Sequence, residues 1–338
     1  MLPDVLLASF LVIFLWVYTL SGGADFGCGV WDGLASGPRR HQQRQLIKTA
    51  LGPIWEANHV WLIVVVVVMF ACFPLAWSAI TTTLFIPLTT MLLGIVLRGS
   101  AFVFRSHAGP YVEVRRQWSV LFAVASTVTP VMLGTCLAAV ATGRIRMDVK
   151  TGKVTTNFFD AWLAPFPLAV GVMTLLLTSF LAAIYLAVEA REGALQDDFR
   201  QRGLMAGVLL GVVALGTLAL ARTGAPHLWQ GLVHQPWSIP WQVGTGGVSV
   251  AALVLLWRRR FTVARVLAGA QTAGVVWGFG LAMRPYVVVP DVPLGVGMAP
   301  LSVQWSVTWV LLLGTPVLVP AFYALFRIFK GSRSASVA

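Results

Sequence analysis

Glu56 and His59 stand three residues apart in "LGPIWEANHVWLIVVVVVMFACFPLAW", a carboxylate and an imidazole at the mouth of one of the most apolar runs in the chain. On a helix an i, i+3 pair shares a face, whereas Trp61 lies about 140° round from Glu56 at 100° per residue. Two more ionisable groups hold comparable places: Asp25 ends the first apolar run and Arg98 ends the third. An ionisable group in hydrocarbon costs roughly 2.5–3.5 kcal/mol on insertion scales, so the few that occur there point to proton or ion routes. A carboxylate held ionised by an arginine, and pushed the other way by desolvation, can take up and release a proton near neutral pH. Plainer roles exist for each residue alone. Pro53 suits the first turn of a helix, Glu56 behind it and Arg98 at a helix end both complement the helix dipole, Arg98 can snorkel, and a single interior histidine is commonly just hydrogen-bonded. The convergence of two acids, an imidazole and an arginine is more specific than any member.

The elements that must position these residues are membrane-spanning helices. With 58% hydrophobic and 11% charged residues, the composition is that of a polytopic membrane protein rather than a soluble domain. Runs long enough for the roughly 20 residues of a bilayer-spanning helix fall near 4–22, 55–77, 79–103, 118–141, 162–188, 203–221, 243–257, 261–283 and 305–329. These predict nine spans in one all-α membrane domain covering 1–338. The weakest is 243–257, short and Gly-rich, where a re-entrant or broken helix is the alternative. Most of the 24 basic residues fall on one side if the N-terminus is outside and the C-terminus cytoplasmic, among them Arg39, Arg40, Arg44, Lys48, Arg105, Arg115, Arg116, Arg191, Arg200, Arg202, Arg258, Arg259, Arg260, Arg265, Arg327, Lys330 and Arg333. Asp25, Glu56, His59 and Arg98 then reach one depth, on the cytoplasmic side, from three consecutive spans.

The net charge of +12 is explained by that topology, because the basic residues flank spans instead of forming one soluble face, and no nucleic-acid partner is implied. "MLPDVLL" has no basic n-region and the first run ends in "SGGADFG", so span 1 is expected to remain in the mature protein. Cys28, Cys72 and Cys136 share no metal-like spacing and read as packing residues. Haem ligation between helices needs paired ligands at membrane depth, and His41, His107, His227 and His234 are expected in loops, leaving His59 alone within a span. Met69, Met132, Met173 and Met283 read as core or lipid-facing residues. "SGGADFGCGVWDG" lacks the Gly-Lys-Ser/Thr ending of a phosphate loop. It is expected to be a helix C-terminus and turn, with Gly22 and Gly23 loosening the helix above Asp25.

"GADFGCGVWDGL" closing span 1, "GPIWEANHVWL" opening span 2, "FPLAW" ending it and "LRGSAFVFR" closing span 3 resemble subunit II of cytochrome bd-type quinol oxidases. "NFFDAWLAPFPLAVGV" and "TPVLVPAFYALFRIFKG" extend the resemblance over essentially the whole chain. The resemblance implies a non-haem subunit, itself without a metal site, that pairs with and stabilises a haem-bearing subunit I in the bacterial cytoplasmic (inner) membrane. The haem b and haem d-type groups and the quinol site would lie in that partner. The complex would oxidise quinol and reduce dioxygen to water. A small single-helix subunit can attach in this family, and a quinone tail or lipid can occupy an internal groove. Carried over position by position, the proton-route residues are Glu56 in the W-[DE]-x-N motif, Asp25 in G-x-D-x-G and Arg98 in "RG", with His59 beside them. Trp55, Asn58 and Trp61 complete the motif as interface or packing residues. Many members have Asp where Glu56 stands and Glu or Gln where His59 stands, and the connection 285–304 departs from the family pattern.

Two other readings compete. A proton-coupled secondary transporter would show inverted repeats and broken midplane helices, whereas the acids here sit near one surface and no repeat is visible. A pure scaffold would keep the partner and dispense with the proton route.

Overall fold

The structure is a computed structural model that describes residues 2–51, 55–107, 112–190 and 193–331. Thirteen helices follow one another among these residues: α1 Leu2–Gly33, α2 Arg40–Leu51, α3 Trp55–Asn58, α4 Val60–Cys72, α5 Pro74–Thr83, α6 Phe85–His107, α7 Val112–Ala139, α8 Pro165–Glu189, α9 Gly193–Gly224, α10 Pro226–Val233, α11 Ser238–Trp257, α12 Phe261–Met283 and α13 Leu301–Gly331. Two short antiparallel hairpins, β1 Met147–Asp148 with β2 Lys153–Val154 and β3 Tyr286–Val288 with β4 Val292–Pro293, complete them. Eight helices are long and apolar enough to cross a membrane, and a ninth crossing exists if the bent pair around α2 and α4 counts as one span.

The expected irregular span is regular and a different one is broken. Residues 238–257, the Gly-rich segment, form a continuous 20-residue helix. The run expected as span 2 is instead divided into α3, α4 and α5, with interruptions at His59 and Phe73. Pro74 explains the second break, since it has no N–H to donate and drives the residue before it out of the helical region; Phe73 sits at φ −124°, ψ 53°. Pro53, Arg191 and Arg333 lie outside the described residues. Three of the four histidines expected in loops lie in helices instead, His41 in α2, His107 at the end of α6 and His227 in α10, whereas His234 stands in the turn after α10 as expected.

The largest correction concerns α1, which does not end at Asp25. It runs unbroken to Gly33, so Asp25 is an interior helical residue. The glycines serve close packing here. A Cβ on Gly27 would meet the Thr178 carbonyl at 2.1 Å, and one on Gly29 would meet the Ser126 hydroxyl at 2.0 Å. Small residues let helix backbones approach in a membrane, and α1 thereby lies directly against α7 and α8. Helix α8 is the axis of this packing, buried on all sides over Leu177–Ile184 and again at Leu186 and Ala187, and Trp31 of α1 donates a hydrogen bond to its Ser179 carbonyl at 2.8 Å.

The two ends of the bundle differ. At one, Asp197 and Asp198 at the start of α9 collect arginines: Asp198 accepts from Arg39 and Gln43, and Asp197 from Arg200 and Arg259. This is called the basic end below. At the other, Asp291 in the β3–β4 hairpin accepts from Arg146 Nε at 3.0 Å and the Met147 amide at 2.9 Å, and Ile145 bridges to Pro290.

Candidate functional site

Asp25, Asn58, His59, Tyr18 and Arg98 come together where α1, the α3–α4 junction and α6 meet. Asp25 is brought inside by its place on the α1 face that α3 covers, and Asn58 Nδ2 donates to its Oδ2 at 2.6 Å. His59, at the break between α3 and α4, places Nδ1 3.5 Å from the Tyr18 hydroxyl. Its ring packs against Tyr18 and Phe26, with centroids 5.9 and 6.1 Å away. Arg98 is 2% exposed and lies over the rings of Phe26, at 5.0 Å, and Phe122, at 5.6 Å. Its charge interacts electrostatically with Asp25 and Tyr18 and with His59. The aromatic faces give the guanidinium a partly compensating environment that aliphatic side chains would not.

Three of the four expected site residues are thus neighbours, and the fourth stands apart. Glu56 is exposed on α3, joined to the cluster through the backbone, where the His59 amide donates to the Glu56 carbonyl at 3.2 Å. Trp55 begins α3. Trp61 is buried within this chain, its ring 5.8 Å from Phe14 and 5.0 Å from Phe322 of α13, so its place here is packing.

A cavity of about 170 Å3 reaches the site, lined among others by Ser21, Asp25, Asn58, Tyr185 and Glu189. At roughly 30 Å3 per water in the liquid it has room for several molecules. Asn58 is 4% exposed, and its side-chain oxygen is buried without a hydrogen-bond partner among the described residues. Such an acceptor costs about 1–3 kcal/mol unless water satisfies it.

A second charged pair lies further along the same helices. Asp32 is fully buried and pairs with Arg105 at 2.7 Å, while Arg44 of α2 approaches to 4.0 Å and also donates to the Asp32 carbonyl. Arg105 lies 4.8 Å from the Phe122 ring, the ring that Arg98 also faces. Sequence reasoning passed over Tyr18, Asp32, Arg105, Tyr185 and Glu189. A spacing of seven carries the missed signal, because Tyr18, Asp25 and Asp32 on α1, like Arg98 and Arg105 on α6, fall on one stripe two turns apart.

The His59 ring packs against Tyr18 and Phe26, and among the described residues no group of three or more His, Cys, Asp and Glu is placed to hold a metal ion. Cys28, Cys72 and Cys136 are buried and free.

The sequence pattern of the family described as cytochrome bd terminal oxidase subunit II matches residues 3–329. A Bacillus subtilis (strain 168) protein, named provisionally as a cytochrome bd menaquinol oxidase subunit II, is 23% identical over 328 residues, covering 94% of this chain and 92% of that one. A second protein of that strain, named cytochrome bd ubiquinol oxidase subunit 2, is 28% identical over 215 residues, 63% of this chain and 60% of that one. The fold is that seen in the bd oxidase from Geobacillus thermodenitrificans, with a TM-score of 0.76 at 20% identity, covering 97% of this chain and 99% of that chain.

Proposed function

Because this chain belongs to the cytochrome bd terminal oxidase subunit II family, we propose that it carries protons from the cytoplasm toward the site of dioxygen reduction in a haem-bearing partner. The chain is a multi-pass protein of the bacterial cytoplasmic membrane and a subunit of a quinol oxidase complex. The finer reading is that it pairs with and stabilises subunit I, which holds the haem b and haem d-type groups and oxidises quinol. A small single-helix subunit fits the same assembly.

The observation that carries the reading is the 2.6 Å hydrogen bond from Asn58 to Asp25 on the wall of a cavity that holds water-sized space. Asp25 is the buried acceptor, Asn58 fixes one of its oxygens, Arg98 supplies the compensating charge, and His59 and Tyr18 extend the polar line along α1. Glu56, exposed on the adjoining turn, is one carboxylate through which the cluster exchanges protons with its surroundings. With the N-terminus outside, the basic end faces the cytoplasm, and the cavity draws on that side. A quinone tail or lipid belongs in another, apolar groove, since 170 Å3 is below the roughly 300–1,000 Å3 of organic ligand pockets.

Glu56→Gln separates this reading from a scaffold. Gln keeps the shape and cannot titrate, so quinol-dependent oxygen uptake per haem in the intact complex should slow severely while the haems still assemble and accept electrons from quinol. A scaffold loses only a helix-terminal charge interaction of roughly 0.3–1 kcal/mol. Near-normal turnover would remove Glu56 from the route and leave the scaffold reading standing.

A further inference from the structure

We propose that Glu189 is the carboxylate that collects protons at the mouth of the Asp25–Asn58 cavity. The inference rests on the proton-route reading above and extends it to a residue outside the family motifs quoted above.

Glu189 is the last residue of α8, at the basic end, where the chain turns into α9. It is partly exposed, whereas Asp25 and Asn58, which line the same cavity, are 9% and 4% exposed. The cavity therefore joins a carboxylate that meets solvent to a carboxylate that does not. Ser21, Tyr185 and Asn58 line the same cavity, bringing two hydroxyl-bearing side chains and an amide whose oxygen lacks a hydrogen-bond partner among the described residues. Tyr185 lies four residues before Glu189 and so shares its helix face. Glu56 is not among the lining residues, so the cavity has a carboxylate of its own at the solvent side.

Charge around the mouth supports the assignment. Asp25 and Cys28 of α1 line the cavity with Tyr185 and Glu189 of α8. Arg265 of α12 lies over the Tyr185 ring at 5.8 Å. Helix α9 presents Gln196, which donates to the Ala187 carbonyl at 2.8 Å, and α2 contributes Ala50 and Leu51. Among the described residues that line the cavity, Glu189 is the carboxylate that is partly exposed, whereas Asp25 is buried. Glu189 takes a proton from that water, releases it to a water in the cavity, and is protonated again from outside. Asp25 receives the proton at the inner end and returns to carboxylate when it passes the proton on.

The test uses the intact quinol oxidase containing this chain, with oxygen uptake per haem measured from mildly acidic to alkaline pH. Glu189→Gln should keep haem content and near-normal turnover in acid. Toward alkaline pH its rate should fall severalfold below wild type, because the cavity then lacks its collecting carboxylate and protons reach Asp25 only from scarce bulk water or by way of Glu56. Glu189→Asp should restore most of the wild-type profile. Ala50→Phe, which narrows the cavity without touching a polar group, should slow turnover severalfold. A wild-type rate and pH profile in Glu189→Gln, with Asp25→Asn inactive, would overturn this inference and spare the route. Wild-type turnover in Asp25→Asn would instead remove the route itself. Slowing of Glu189→Gln that is equal at every pH and unrescued by Asp would mark a structural role, and normal turnover in Ala50→Phe would deny the cavity; either result overturns the proposal.

Discussion

Asp25 with Arg98 and Asp32 with Arg105 are the same residue types on the same two helices, each acid seven residues from the other and each arginine likewise, yet their surroundings are opposite. Asp32 is fully buried, paired with Arg105 at 2.7 Å, and closed over by Arg44 of α2. Asp25 shares its neighbourhood with an amide, an imidazole and a phenol, and one side of it lines a cavity. Phe122 stands between the arginines, 5.6 Å from Arg98 and 4.8 Å from Arg105. The contrast is one of surroundings: one carboxylate is closed in by two arginines, whereas the other is hydrogen-bonded by an amide and lines a cavity with room for the water that proton exchange needs.

The comparison breaks most sharply at Asp25. Asp25→Asn preserves shape and removes the titratable group, and turnover per haem should fall on the order of 10²–10⁴-fold, the usual worth of a positioned proton donor or acceptor. Assembly, read from haem content, should survive. Equal turnover would mean that the two acids are both structural.

Asp32→Asn should do the reverse. Leaving Arg105 buried without its partner costs roughly 3–5 kcal/mol, so thermal stability and yield of the complex should drop while turnover per assembled haem holds. Replacing both residues together, Asp32→Leu with Arg105→Met, should recover much of the lost stability, because a well-packed apolar pair is often no worse than a buried ion pair. Failure of the double variant to recover, or a collapse of turnover in Asp32→Asn, would erase the distinction between the pairs.

A smaller effect is expected between them, at Gly29. Its missing Cβ lets α1 meet the Ser126 hydroxyl of α7, which a methyl would approach to 2.0 Å. Gly29→Ala should destabilise by about 1–3 kcal/mol through overpacking, measurable by thermal denaturation, and should disturb both pairs because both depend on where α1 lies. The smallest change should be Glu56→Asp. The carboxylate remains titratable on an exposed turn, and oxygen uptake should stay within a few-fold of wild type; a loss as large as that of Glu56→Gln would show that reach, and not titration, is what Glu56 supplies.

Much of the site was legible because a membrane makes polar residues conspicuous. Asp25, His59 and Arg98 could be singled out as rare ionisable groups within apolar runs, and the alternation of spans brought them to one depth without any knowledge of contacts. Glu189 and Asp32 drew no reading and Arg105 counted only among the basic residues of one side, since a charge near the end of an apolar run is what the helix dipole and the membrane interface already favour. Nothing local separates a carboxylate that meets water from one sealed by an arginine.

The sequence by itself determined the class of the molecule and the location of most spans, because hydropathy acts residue by residue along the chain, although α1 runs on to Gly33 and α9 starts at Gly193, well outside the apolar runs 4–22 and 203–221. Only the tertiary structure decided the continuity of α1 through Asp25, the break of the second span at His59, and the difference between the two acid–arginine pairs. Each depends on which surfaces meet across the bundle. Gly23, which read as loosening a helix, proved to pack against Thr178, and an aspartate that read as a terminus became an interior group, since packing free energy is set by neighbours that the local sequence does not name.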